Sequence, residues 1–118
     1  MSSDTSREWP EELDALTAAR ANHAFCSNER VRVLETVVSP AASTPVHTHR
    51  WASVEYVLSA ASFVRRPGDG RVVFDTRAAG AELRPSDVLW SEPFPPHSVE
   101  NVGDTELRVI MVELKDRR

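Results

Sequence analysis

Along most of this chain apolar and polar residues alternate with the period of two that marks a half-buried strand. Between Arg30 and Val38, Val31, Val33, Glu35 and Val37 interleave with Arg32, Leu34, Thr36 and Val38, and β-branched residues dominate. Ser39-Pro40 breaks this strand, and Pro45 precedes a short one at Val46 to His49. Further strands are predicted at Val54 to Ser59 and Ser62 to Arg66. Pro67-Gly68-Asp69-Gly70 then reads as a hairpin turn, with Arg71 to Arg77 as the returning strand. Ala78-Ala79-Gly80 punctuates, Ala81 to Arg84 is a short strand, and Pro85-Ser86-Asp87 turns into Val88-Leu89-Trp90. Pro93, Pro95 and Pro96 stiffen the approach to His97, and Gly103-Asp104 precedes a last strand at Leu107 to Leu114. About nine short strands at this spacing predict an all-β fold, a closed or nearly closed barrel or jelly roll.

Ahead of the strands the period changes. Pro10 suits a first helical turn, and Glu11 and Glu12 face the positive end of the helix dipole. Leu13, Leu16 and Thr17, then Arg20, continue a helix of about three turns that fades near Asn22. Met1 to Glu8 is small and polar and is expected to fray. The organisation expected is a tail and helix over 1–28 and a single β-barrel domain over 29–118.

Composition narrows the function. A net charge of -4 and paired rather than clustered arginines (Arg65-Arg66, Arg117-Arg118) argue against nucleic acid and anionic membrane as partners. No apolar run is long enough to span a bilayer, so the cytoplasm is the expected location. The one cysteine, Cys26, cannot form an internal disulfide and reads as an incidental thiol.

Three of the four histidines carry the candidate chemistry. His47 and His49 are two apart, so on a strand they share a face, and His97 arrives from a strand about fifty residues later. Three imidazoles converging from two strands suit a divalent transition metal such as zinc, nickel, iron or manganese. Affinity for such an ion should fall as pH drops through the histidine range. His23 has no ligand neighbour at useful spacing and reads as a capping or packing residue.

These residues resemble the cupin superfamily in its small single-domain form, the RmlC-like jelly roll. His47 and His49 match the His-x-His of the first cupin motif, and His97 and Asn101 match the end of the second, over roughly residues 30 to 115. The chain departs from the pattern elsewhere. Ala41, Ala60, Ser86 and Phe94 stand where the family prefers glycine, and Glu92 where it has proline, with Pro93 one place late. At the distance of the family's glutamate ligand stands Ser53, with Glu55 two residues on and of the same parity. Two arrangements stay open: His47, His49 and His97 alone with Ser53 leaving a position to water, or Glu55 joining as ligand or general base. Asn101 supports the His97 turn. Tyr56 and Trp90, with Trp51 and Phe94, line a pocket mouth or belong to core and interface; Arg65, Arg66 and Arg84 receive an anion or are solvated. Glu113 either reaches the interior or makes a surface ion pair with Lys115 or an arginine.

The resemblance implies a small-molecule enzyme, dioxygenase-like or isomerase-like. The alternatives are a non-catalytic binding or sensor domain and an inactive interaction protein. It also implies a homodimer, since an isolated small barrel has sheet edges to protect.

Overall fold

The computed structural model describes residues 9–78 and 80–115; Met1 to Glu8, Ala79 and the Arg117-Arg118 pair lie outside them. Two antiparallel sheets face each other. One is ordered β1-β2-β9-β4-β7, from strands β1 (Asn22–Ser27), β2 (Val31–Val38), β9 (Leu107–Leu114), β4 (Ser53–Ser59) and β7 (Val88–Ser91). The other is ordered β3-β8-β5-β6, from β3 (His47–His49), β8 (Phe94–Asn101), β5 (Phe63–Pro67) and β6 (Phe74–Asp75). Leu34, Val38, Val57, Phe63, Leu107, Val109 and Met111 fill the space between the sheets. Each fully buried aliphatic side chain of this set contributes about 1.5–3 kcal/mol by leaving water.

Parity places the site. On β9, Leu107, Val109, Met111 and Glu113 alternate inward. On β2, Arg32 and Leu34 are buried on the same inner face, while Glu35 on the outer face pairs with Arg108. In the β2–β9–β4 register Arg32 stands opposite Glu113, which stands opposite Ser53. One polar row therefore crosses the end of an otherwise apolar inner face.

Four expectations are corrected. The helix is a 3-10 turn, Glu11–Leu13, followed by one α-helical turn, α1 (Ala15–Ala18), in place of three turns. Asp14 interrupts it with an extended backbone while its side chain caps the Leu16 N–H. The chain is then drawn into β1 by Asn22, which is buried and bonds Ala15 O and Thr36 Oγ1. Residues 22–27, read as the end of the helical tail, thus supply a strand of the main sheet. The strand expected at 81–84 does not form, and only Phe74–Asp75 of the return from the hairpin pairs with β5. No helix among the described residues is long and apolar enough to cross a membrane.

Candidate metal centre

His47 and His49 sit on β3, and His97 stands directly opposite His47 on β8. The β3–β8 ladder then slips, so that His49 faces Phe94, three residues before His97. This irregularity brings Phe94 and His97 to one side despite their odd spacing. All three histidines are buried, and one ring nitrogen of each lies within 4.8 Å of the others. Nitrogens about 2.1 Å from a shared tetrahedral zinc ion stand about 3.4 Å apart, so rings at the 4.8 Å limit close by about 1.4 Å to share one.

The other ring nitrogen of each histidine is already committed. His47 Nδ1 donates to Pro45 O at 2.8 Å, and His97 Nδ1 donates to Pro95 O at 2.7 Å. His49 Nδ1 donates to Glu113 Oε2 at 2.8 Å. Carbonyl and carboxylate oxygens accept only, so each Nδ1 carries the proton and each Nε2 keeps its lone pair as the available donor. Outer partners of this kind hold metal-ligating imidazoles in orientation and raise their basicity. His47 and His97 both use the carbonyl of a proline two residues upstream. That repeated Pro-x-His spacing was a signal available in the sequence.

Burial pushes His47 down to about 4, with the neighbouring His49 adding to the effect. Burial likewise pushes His97 down to about 3, assisted by His47. Both rings are neutral at pH 7, the form a metal requires. The window in which protons compete for these two nitrogens therefore moves below the ordinary histidine range expected from sequence.

Glu113 is fully buried and does not make a surface pair with Lys115. Its second oxygen accepts from Arg32 Nε at 2.5 Å. Arg32 also donates to Asp14 at 2.9 and 3.2 Å. Burial works against ionising the Asp14 carboxyl, but the Arg32 guanidinium outweighs it and holds the group below the usual range. A continuous line Asp14–Arg32–Glu113–His49 thus ties the first helical segment to the centre. Nothing local in the sequence marks Arg32 or Asp14 as functional, whereas Glu113 continues the inward series Leu107, Val109, Met111.

The remaining candidates divide. Glu55 and Leu89, opposite each other on β4 and β7, both line the main cavity, which has a volume of about 520 Å³. Ser53 is buried and donates to Glu55 Oε2 at 3.1 Å, while Glu55 stands outside the three-histidine cluster. Phe94 lines the cavity, 5.1 Å from the His97 ring, and Trp90 reaches its rim while remaining 56% exposed. Tyr56 is displaced from the pocket: its parity is opposite to that of Glu55, and its exposed hydroxyl bonds Ser86 Oγ. Asn101 is buried away from the cavity, with its amide donating to Val38 O and Thr105 O and accepting from Gly103 N. Trp51 lies under the cations of Arg32, Arg50 and Lys115. Arg66 pairs with Glu100, Arg84 is exposed, and His23 and Cys26 are exposed on β1.

No family model and no curated protein matches the chain. Solved structures do. A cupin domain from Bordetella pertussis Tohama I superposes with a TM-score of 0.65 at 22% identity, covering 84% of this chain and 95% of that one. An RmlC-like cupin with a double-stranded β-helix fold from Methanocaldococcus jannaschii gives 0.57 at 10% identity, covering 79% and 77%. This chain has the cupin fold. The polyketide cyclase RemF of Streptomyces resistomycificus is also similar, with a TM-score of 0.54 at 24% identity over 85% of this chain and 69% of that one. The all-β jelly roll expected from the strand pattern and the histidine spacing is thereby met. At two of the positions where cupins prefer glycine, Ala41 and Ser86 keep a left-handed backbone, with φ of 68° and 75°.

Proposed function

We propose that this cupin is a metal-dependent enzyme acting on a small, largely apolar molecule, with His47, His49 and His97 as the protein ligands. The observation that carries the reading is that all three imidazoles have Nδ1 bound to an acceptor and Nε2 left over. A divalent ion held there, whether zinc, nickel, iron or manganese, supplies Lewis acidity and an open coordination position.

The chain's own residues supply the rest. Glu113 and the two proline carbonyls hold the rings in place. Glu55 faces the same cavity from the opposite sheet and serves as the proton acceptor and donor, with Ser53 orienting its carboxylate. The wall beside it includes the apolar side chains of Phe63, Leu89, Val109 and Met111. A pocket of about 520 Å³ fits a molecule of one to three rings. A proton-transferring group beside the centre favours isomerisation or cyclisation over dioxygen chemistry, and the likeness to a polyketide cyclase agrees with that direction.

The test is elemental analysis of tag-free protein beside a His47→Ala, His49→Ala double variant. Near-stoichiometric metal that disappears in the variant is the expected result. Absence of metal from both proteins after reconstitution with each candidate ion would overturn the reading in favour of a metal-free binding domain. We also expect a homodimer, because among the described residues β1 ends its sheet with no strand on its outer side and its Phe25 is 53% exposed; light scattering that shows only monomer would refute it.

A further inference from the structure

Arg65 stands apart from the other arginines described. Its neighbour Arg66 points the other way along β5 and pairs with Glu100 at 2.8 Å. Arg65 points into the main cavity, opposite Val99 and Phe74 in the sheet, and among the described residues it takes part in no ion pair. Its guanidinium lies over two phenylalanine rings, 4.8 Å from the Phe74 centroid and 4.7 Å from the Phe94 centroid. Contact with those rings holds the guanidinium at the cavity wall. Burial lowers the Arg65 pKa, and the Glu55 carboxylate, on the opposite sheet and not in contact with it, works against that effect.

A half-buried cation without a counterion is costly unless something supplies one. Here the missing partner has a defined place. Phe94 touches Arg65 on one side and packs on the His97 and His49 rings at 5.1 and 5.9 Å on the other. The guanidinium and the histidine cluster are thus one aromatic ring apart, across a floor formed by Phe63, Leu89, Val109 and Met111.

We propose that Arg65 is the anchor for a carboxylate on the ligand, and that the site takes an apolar monocarboxylic acid whose body reaches toward the three histidines. The planar fork of arginine matches a carboxylate with two parallel hydrogen bonds. A single cation that shares the cavity with Glu55 favours a monoanion over a phosphate dianion. This inference names the substrate class of the site proposed above and rests on that reading for the role of the histidines, but the anion contact itself needs no metal.

The test compares 2-naphthoate with its uncharged counterpart 2-naphthamide by calorimetry, on full-length protein freed of metal with a chelator so that only the protein can attract the charge. Wild type is expected to bind naphthoate at least tenfold more tightly than naphthamide. Arg65→Gln should remove that preference and leave naphthamide unchanged; Arg65→Met, which keeps an unbranched stem between the rings, serves as the second variant, with folding of both checked by circular dichroism. Equal affinity of wild type for the two probes, no naphthoate binding at millimolar concentration, or a preference that survives in whichever variant folds would each overturn the proposal. Zinc equilibrium dialysis on the same proteins separates the two readings. Zinc retained with no charge preference defeats the anchor alone, whereas a preference carried by Arg65 in a protein that takes up no zinc supports the anchor and defeats the metal reading.

Discussion

Glu113 accepts the Nδ1 proton of His49 at 2.8 Å from a strand 64 residues further along the chain. The same carboxylate is gripped by Arg32, so it is buried as an ion pair and not as a lone charge. Glu113→Gln keeps the shape but loses the charge that favours the Nδ1–H tautomer. Metal affinity, read by competition with a chromogenic chelator, should fall by about 10- to 100-fold, the range found when such outer partners are removed. An unchanged affinity would mean that the centre does not depend on this contact.

Acid should weaken the metal-free protein before it reaches the carboxylate range. His47 and His97 are held near 4 and 3 in the fold, against an ordinary value of 6.5. Between those values the unfolded chain binds protons that the folded one refuses. Stability is therefore complete above about pH 6.5 and declines as pH falls toward 4, by up to about 1.4 kcal/mol per pH unit for each group. Urea midpoints of metal-free protein at pH 7, 6 and 5 should decrease in that order. The His47→Ala, His49→Ala variant should show a shallower decline.

Ala41 carries φ of 68°, a region that costs a residue with a β-carbon about 1 kcal/mol relative to glycine. Ala41→Gly is expected to raise stability by about 0.5–1 kcal/mol in chemical denaturation, with no change in metal stoichiometry. Ser86 has the same geometry, but its hydroxyl accepts from Tyr56, so Ser86→Gly should gain less.

Asn101 matches a cupin site motif in sequence and yet works as a structural clamp. Its three hydrogen bonds join β2, β8 and the turn before β9, all out of reach of the cavity. Asn101→Ala strands buried backbone groups and should destabilise the fold by about 2–4 kcal/mol. Folded variant, assayed at low temperature, should bind metal with nearly wild-type affinity.

What was legible in the sequence is what a period of two can encode. His47 and His49 share a face because they are two apart, and Ser53 and Glu55 turn inward for the same reason. The long strands β2 and β9 are clear because β-branched residues recur along them. The failures arise where a distant partner overrides the local pattern. Asn22 leaves the helix because its side chain is satisfied by Ala15 and Thr36, and Asp14 interrupts the same helix while serving Arg32. Tyr56 is a pocket residue by type, but parity sends it outward. The polar row Arg32–Glu113 joins residues 81 positions apart, and no local window contains both.

That last separation bears on how the centre comes into being. The three histidines have all been synthesised once residue 97 is made, but His49 gains its orienting carboxylate only with residue 113, and that carboxylate is steadied by an arginine and an aspartate from the opposite end of the chain. Contacts of such long sequence separation form late in folding. Competence to hold an ion is therefore acquired at the close of folding, when both ends of the chain have docked. A nascent or C-terminally clipped chain with all its histidines intact is expected to release metal that the finished molecule retains.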